Sequence, residues 1–311
     1  MDIRLSLGSA AQLGLCSLQM DTSPTTLYAM LGDRCSGACT FCTQARDNTA
    51  DRSYLSRVIW PTYAIDEVIT HLDENANVHR ICVQTLRDPG MMEQLLQVVA
   101  RLTENHQQPI SVCMNPVDPE LLISLKHAGV ERVGVGVDCA TPETFSRIKP
   151  GFSWKQYQTF IAETIQVFGR GSVHLIVGLG DSDEDLVRAF QYYTDLGCSI
   201  GLFALTPMRG TKLQLPAPSI ERYRTMQYAR YLIGTKQSHI HAMTFHNGKL
   251  ETIQVSQNKL GRANLTDTAF RTSGCPDCNR PNYNERPGGV MYNYAHPLSD
   301  TQLTQAWDEL T

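Results

Sequence analysis

Between Thr26 and Met208 the chain alternates six times between a short apolar run and a longer stretch of helical periodicity. No other feature restricts its fold as much. The apolar runs fall at 27–31, 80–84, 110–114, 132–137, 174–177 and 201–205. Helical stretches follow at 64–75, after Pro89, from Asp118 to Gly129, at 157–168 and from Ser182 to about Gly197. Met92, Leu95, Leu96 and Val99 share one helical face. Asp118 and Pro119 suit the first positions of a helix, and Gly129 suits its stop. Ser182 and Asp185 have capping-box spacing. A strand that repeatedly returns through a helix pairs in parallel, and right-handed crossovers curl such units together. The pattern predicts an α/β fold, a partial (β/α)6 TIM-like barrel over 26–215, with function in the loops at the carboxyl ends of the strands. Periodicity alone also allows an open sheet. An N-terminal segment, 1–25, precedes the barrel and a C-terminal extension, 216–311, follows it. The extension reads as a helix at 221–233, short strands at 239–245 and 252–255, and a loop-like last forty residues rich in Asn, Pro, Gly and Arg.

The class is that of an ordinary globular protein, with 42% hydrophobic and 19% charged residues. A net charge of -4 calls for neither nucleic acid nor an anionic membrane as partner. No apolar run approaches the ~20 residues of a spanning helix, and residues 1–15 lack a signal-peptide pattern. The expected location is cytoplasmic. There, ten cysteines point to metal ligands or reactive thiols rather than disulfides. Five are clustered: Cys35, Cys39 and Cys42, then Cys275 and Cys278. Cys16, Cys82, Cys113, Cys139 and Cys198 stand alone, and a lone cysteine usually serves as a small buried apolar residue.

The first cluster, Cys35-Ser36-Gly37-Ala38-Cys39-Thr40-Phe41-Cys42, follows the first predicted strand. Three close thiolates without a fourth suit an iron–sulfur cluster with one open iron, where a cofactor binds. Gly37 and Ala38 let the loop wrap closely, and Phe41 offers an aromatic face for an adenine. A zinc knuckle is the plainer alternative, but zinc favours paired C-x2-C motifs.

This motif, with an aromatic residue before its last cysteine, resembles the radical S-adenosylmethionine (radical SAM) signature. Thr43-Gln44-Ala45-Arg46 resembles the biotin synthase and lipoyl synthase branch. Arg80-Ile81-Cys82, Ile176-Val177-Gly178-Leu179-Gly180 and Arg209-Gly210-Thr211 are similar to other motifs of that branch, so the resemblance spans about 26–213. It implies a catalytic 4Fe-4S cluster on Cys35, Cys39 and Cys42. It also implies S-adenosyl-L-methionine at the open iron and hydrogen abstraction from an unactivated carbon by a 5′-deoxyadenosyl radical. Phe41, Gln84, Gly178 and Gly180 are the expected cofactor-binding residues; a plain strand-to-helix turn is the alternative for the two glycines.

The second cluster, Cys275-Pro276-Asp277-Cys278, reads three ways. It is half a zinc site completed by His239, His241 or His246, a redox dithiol, or part of a second iron–sulfur cluster. In the radical SAM context the expectation is an auxiliary 4Fe-4S cluster on Cys82, Cys275 and Cys278. Its fourth ligand is open, with Ser273 as a candidate. Cys113 falls near a ligand position of biotin synthase. Ser172 and His241 stand near that enzyme's remaining ligand positions, so a biotin-type site is incomplete. The tail from Cys275 to Gly289 with Tyr292-Asn293-Tyr294, together with Thr206-Pro207-Met208-Arg209-Gly210 and Arg4-Leu5-Ser6-Leu7-Gly8, resembles a component of the two-protein, archaeal-type lipoyl synthase. That resemblance implies sulfur insertion into an octanoyl chain on a lysine of a lipoyl carrier domain or peptide, with the auxiliary cluster as sulfur source. It implies a second related radical SAM chain and a low-potential electron donor as partners. Tyr283, Asn284, Glu285 and Arg286 would hold substrate or shield the site; a polar surface tail is the alternative. The chain departs from single-chain lipoyl synthases in lacking a cysteine triad before the barrel and an Arg-Ser-Ser-Tyr near the end. The other readings are a radical SAM enzyme performing biotin-like sulfur insertion or a rearrangement, and a non-catalytic iron–sulfur or zinc protein.

Overall fold

The computed structural model describes residues 1–73, 77–255, 266–286 and 288–310. The chain opens with β1 (Asp2–Leu5), α1 (Leu7–Gln12) and β2 (Thr26–Leu31). A small hairpin, β3 (Tyr54–Leu55) and β4 (Val58–Ile59), precedes β5 (Thr62–Ala64) and α2 (Ile65–Asp73). The repeating part runs β6 (Arg80–Thr85), α3 (Met91–Asn105), β7 (Ile110–Met114), α4 (Pro119–His127), β8 (Val130–Asp138), α5 (Pro142–Ile148), α6 (Trp154–Phe168), β9 (Gly171–Val177), α7 (Asp183–Asp195) and β10 (Cys198–Ala204). Then come α8 (Ile220–Gly234), the hairpin β11 (Met243–His246) and β12 (Lys249–Ile253), and α9 (Asp300–Asp308).

One sheet of eight strands has the order β10-β9-β8-β7-β6-β2-β1-β5. The six strands from β2 to β10 pair in parallel, and β1 runs antiparallel to both β2 and β5. The expected α/β partial barrel is therefore present, widened on the β2 side by β1 from the N-terminal segment and by β5. Strand alternation sorts its two faces. Leu27, Ala29, Leu31, Ile81 and Val83 belong to the core shared with the helices. Tyr28, Met30, Cys82 and Gln84, from the intervening positions, line the barrel interior. The sheet's helix side is held by apolar burial and its inner face carries the chemistry.

The local signals correspond closely. The capping box of Ser182 and Asp185 starts α7, and Gly129, at φ +103°, follows α4. Asp118 precedes α4 without a side-chain cap bond. Other features differ. The Thr141-capped α5 is too short to show a period in the sequence. The stretch expected as a strand from 239 begins with a 3-10 turn, Ile240–Ala242, before β11. The last forty residues, expected as loop, contain α9. Ser299 and Gln302 form its capping box, and Trp307 packs edge-on against Tyr228 and Phe270. Glu74 and Asn75 of the expected helix at 64–75, and Pro287 of the tail motif, lie outside the described residues.

Candidate active site

The cysteine loop leaves the carboxyl end of β2 and is fixed by its neighbours. The Asp88 carboxylate accepts the Asp33 and Arg34 backbone N–H groups at 3.0 Å each. The Arg4 guanidinium donates to the Gly32 carbonyl at 2.6 Å. The Asn48 amide donates to the Cys42 carbonyl at 2.7 Å. Buried Gln44 donates to the Arg52 and Tyr54 carbonyls at 2.7 and 2.6 Å. From beyond β10, the Leu213 N–H donates to the Thr40 carbonyl at 2.9 Å. The motif Thr43-Gln44-Ala45-Arg46 and the Arg209-Gly210-Thr211 turn are thus buttresses of this loop.

Cys35, Cys39, Phe41 and Cys42 line a cavity that runs down the barrel interior. Cys82, from the middle of β6, and Cys113, from β7, line it below them. Cys275 and Cys278 reach it from the tail. In the β6–β7 register Cys113 lies beside Gln84, one inward position above Cys82. Seven of the ten cysteines therefore face one cavity, and all seven are free thiols. Burial pushes the Cys39 thiol up to about 11 and the Cys113 thiol to about 12. Burial also raises Cys42, Cys82 and Cys278, and at Cys278 the Arg280 guanidinium and the Tyr28 hydroxyl oppose it. Thiols crowded in a dry site do not ionise readily by themselves; bound metal cations provide the missing positive charge.

The donor set fits iron–sulfur clusters. At the mouth, a Cβ on Gly37 would stand 2.9 Å from the Phe152 ring and 3.3 Å from the Cys35 sulfur, so the loop closes around the three thiols only with glycine there. Deeper down, Cys82, Cys113, Cys275 and Cys278 offer four sulfurs, the usual complement for a cubane. Ser273 is already committed, its hydroxyl accepting the Leu202 N–H at 3.0 Å. His239, His241 and His246 do not line the cavity. Among the described residues no three His, Cys, Asp or Glu side chains converge on a point suited to a single metal ion.

Four charged or titratable groups in the cavity carry no signal in the sequence motifs. Lys149 and Asp138 form an ion pair at 2.8 Å, both nearly buried. Lys149 also donates to the Gly136 carbonyl and sits 4.6 Å from the Tyr157 ring centre. Burial pulls its ammonium down, but Asp138, Tyr157 and Cys39 together raise it well above the usual range. Asp138 holds a left-handed backbone, φ +69°, at the carboxyl end of β8. Its position at a strand end was the available signal; nothing local marks Lys149. The Arg280 guanidinium lies 3.8 Å over the Phe203 ring and donates to the Ser273 carbonyl at 2.7 Å. His174, 3.6 Å from the Cys113 sulfur, is held to about 4 by burial and by Arg280, and so is neutral.

Gln84 lines the cavity, donating to the Cys82 sulfur at 3.0 Å. Tyr283 and Asn284 line it too. Glu285 is buried beside it, and its carboxylate accepts the Asn284 and Asn293 N–H groups at 3.0 and 2.8 Å. Arg286 does not line the cavity. Gly178 and Gly180 also lie away from it. Gly178 packs against Leu205 and Pro218, and Gly180 against Arg147. An apolar wall of Tyr28, Met30, Trp60 and Leu86 adjoins Cys35, Cys82 and Cys278. No helix is long and apolar enough to cross a membrane among the described residues.

Comparison with known proteins adds the following. The family model of the Radical SAM superfamily matches residues 30–193. A biotin synthase of Sulfurihydrogenibium sp. (strain YO3AOP1) is 28% identical over 185 residues, covering 58% of this chain and 54% of that protein. A biotin synthase of Persephonella marina is 33% identical over 125 residues, covering 40% of this chain and 37% of that protein. The chain thus spans about half the length, or less, of these curated relatives. Among solved structures, HydG, a maturase of the [FeFe]-hydrogenase, superposes with a TM-score of 0.57 at 14% identity, covering 67% of this chain and 49% of that one. Methylornithine synthase (PylB) superposes with a TM-score of 0.54 at 16% identity, covering 65% and 59%. At these identities the structural likeness concerns the fold.

Proposed function

The chain belongs to the radical SAM superfamily, and from that premise we propose that it inserts sulfur into an unactivated C–H bond of an aliphatic substrate. The observation that carries this reading is the second group of four thiols, Cys82, Cys113, Cys275 and Cys278, in the same cavity as the first three. A cluster held there would be a source of sulfide inside the cavity where the radical forms.

When bound, the cluster and S-adenosyl-L-methionine supply a reductively generated carbon radical, and an auxiliary cluster supplies sulfide. The remaining work belongs to the chain. Cys35, Cys39 and Cys42 would hold the first cluster, leaving one iron without a protein thiolate. Cys82, Cys113, Cys275 and Cys278 would hold the second. Lys149 and Asp138 provide a fixed cation and anion beside Cys39, for polar groups of the cofactor. The protein walls exclude water, so a carbon radical meets only what the cavity presents.

The apolar wall beside both thiol groups supports an unbranched acyl chain as substrate. The proposed substrate is an octanoyl chain carried on a lipoyl carrier domain or peptide, with a second related chain sharing the two sulfur insertions and a low-potential donor supplying electrons. The similarity to biotin synthases favours a second reading, in which sulfur enters a small free substrate. The test is anaerobic reconstitution followed by assay with S-adenosyl-L-methionine, dithionite and either an octanoyl-lysine peptide or a biotin precursor. About eight irons per chain, with 5′-deoxyadenosine and a thiolated peptide, is the expected result. A thiolated precursor instead selects the second reading. About four irons and no thiolated product from either overturns sulfur insertion.

A further inference from the structure

The six parallel strands do not close into a ring: β10 is an edge strand, and β2 pairs on its other side with β1, which leaves a gap between β10 and the β2 side. The segment 273–286 fills that gap. On the β10 side, Ser273 accepts the Leu202 N–H at 3.0 Å and the Asn284 amide donates to the Ala204 carbonyl at 3.0 Å. Beside β2, the Asp277 carbonyl accepts the Thr25 and Thr26 hydroxyls at 2.6 and 3.0 Å, and the Asn279 side chain accepts the Thr25 N–H at 3.0 Å. The Pro276 carbonyl accepts the Arg80 guanidinium at 2.9 Å. Above, Arg57 of the β3–β4 turn donates to the Asn282 carbonyl at 2.9 Å.

The segment is pinned outside the gap at both ends. The Thr272 N–H donates to the Tyr294 carbonyl, and the Tyr294 N–H to the Phe270 carbonyl, at 3.0 and 3.1 Å. The fully buried Arg224 donates to the Met291 and Tyr292 carbonyls at 2.6 Å each. It is thus a loop with clamped feet whose tip is pushed into the barrel.

What holds the tip is largely polar. Its seams are hydrogen bonds, each of small net worth because water competes for the same groups. Against them stands backbone strain. Three of the seven described non-glycine residues with left-handed φ fall within this segment: Asp277 at +62°, Arg280 at +37° and Asn282 at +57°. Left-handed backbone is unfavourable for a residue with a Cβ, least so for Asp and Asn. Of the segment's side chains, Cys278 and Tyr283 pack against the apolar wall of Tyr28, Met30, Trp60 and Leu86, while Ser273, Arg280 and Asn284 line the cavity with polar groups.

Resting on the proposed second cluster, we infer that this metal centre is the fastener that closes the barrel. Two of its thiols, Cys82 and Cys113, belong to the neighbouring barrel strands β6 and β7 and two, Cys275 and Cys278, to the loop, so ligation ties the loop to the barrel wall. Loss of the centre frees the strained tip on its clamped feet and opens the barrel beside Cys82. A site that gives up sulfide needs such access for its rebuilding.

The test uses a variant carrying Cys35→Ala, Cys39→Ala and Cys42→Ala, so that only the second site loads. Iron is counted after anaerobic reconstitution, and amide hydrogen exchange is followed with and without chelator. About four irons are expected, with amides of 273–286 slowed at least about tenfold by loading while those of α8 and β8 stay unchanged. Iron that loads without slowing the loop overturns the fastener and leaves the proposed function standing. A variant that binds no iron overturns the second cluster and the fastener together. The same exchange comparison on unmutated protein, loaded and chelator-stripped, must show the same loop protection; its absence there likewise overturns the fastener.

Discussion

Two loops bring thiols to one cavity, and they do so by opposite means. The cysteine loop leaves β2 directly. It is buttressed by Arg4, Asp88, Gln44 and Asn48 on every side, so its shape is set before any cofactor arrives. The 273–286 loop arrives after the whole barrel is complete, spans a gap in the sheet, and carries left-handed non-glycine residues at its tip. A rigid loop suits thiols whose ligation must persist through every turnover. Under the proposed function, a strained, clamped loop suits thiols whose cluster would be spent and replaced.

The largest effects should separate the two loops chemically. Cys42→Ala is expected to reduce 5′-deoxyadenosine formation to background. Cys278→Ala is expected to keep that cleavage and to lose the thiolated product. Normal sulfur transfer by Cys278→Ala would remove the distinction between the loops altogether.

Next comes the clamp. Arg224, 0% exposed, joins Glu309 at 2.9 Å and holds the foot of the loop. Removing one member of a buried ion pair costs about 3–5 kcal/mol, so Arg224→Ala should lower stability in urea by that order. A loss under about 1 kcal/mol would mean the feet are held elsewhere.

Gly210→Ala tests the rigid loop. At φ +85°, a Cβ there would lie 2.6 Å from the Ala50 backbone nitrogen, and backbone cannot step aside cheaply. The expected cost is about 1–3 kcal/mol, with weaker iron loading at Cys35, Cys39 and Cys42 and unchanged loading at the second site. Equal loss at both sites would argue that the loops are not independent.

Smallest is Ser182→Ala, which removes the α7 capping box far from either loop. It should cost about 1 kcal/mol and leave iron content untouched. Any fall in iron content would show that general destabilisation, rather than loop geometry, controls loading.

Local sequence specifies structure where one short segment carries its own instructions. β7 and the start of α7 fall where the apolar run and the Ser182–Asp185 spacing put them. The short α5 was missed because too few residues show a period. β1 was missed because a single strand pairing back across Met30 and Tyr63 has no local signature. The Ser273 hydroxyl lines the cavity and accepts the Leu202 N–H of β10, a contact that spacing does not reveal.

From the sequence alone come the six-fold strand–helix rhythm and the C-x3-C-x2-C loop at the end of the first barrel strand, because periodicity and close spacing act within a few residues of one another. Only the tertiary structure decided that Cys113 joins Cys82, Cys275 and Cys278, that Lys149 faces Asp138, and that the tail closes the barrel. Those pairings depend on strand register and on contacts such as Thr25 with Asn279, where residues remote along the chain are brought together only when the sheet curls and leaves a gap to fill.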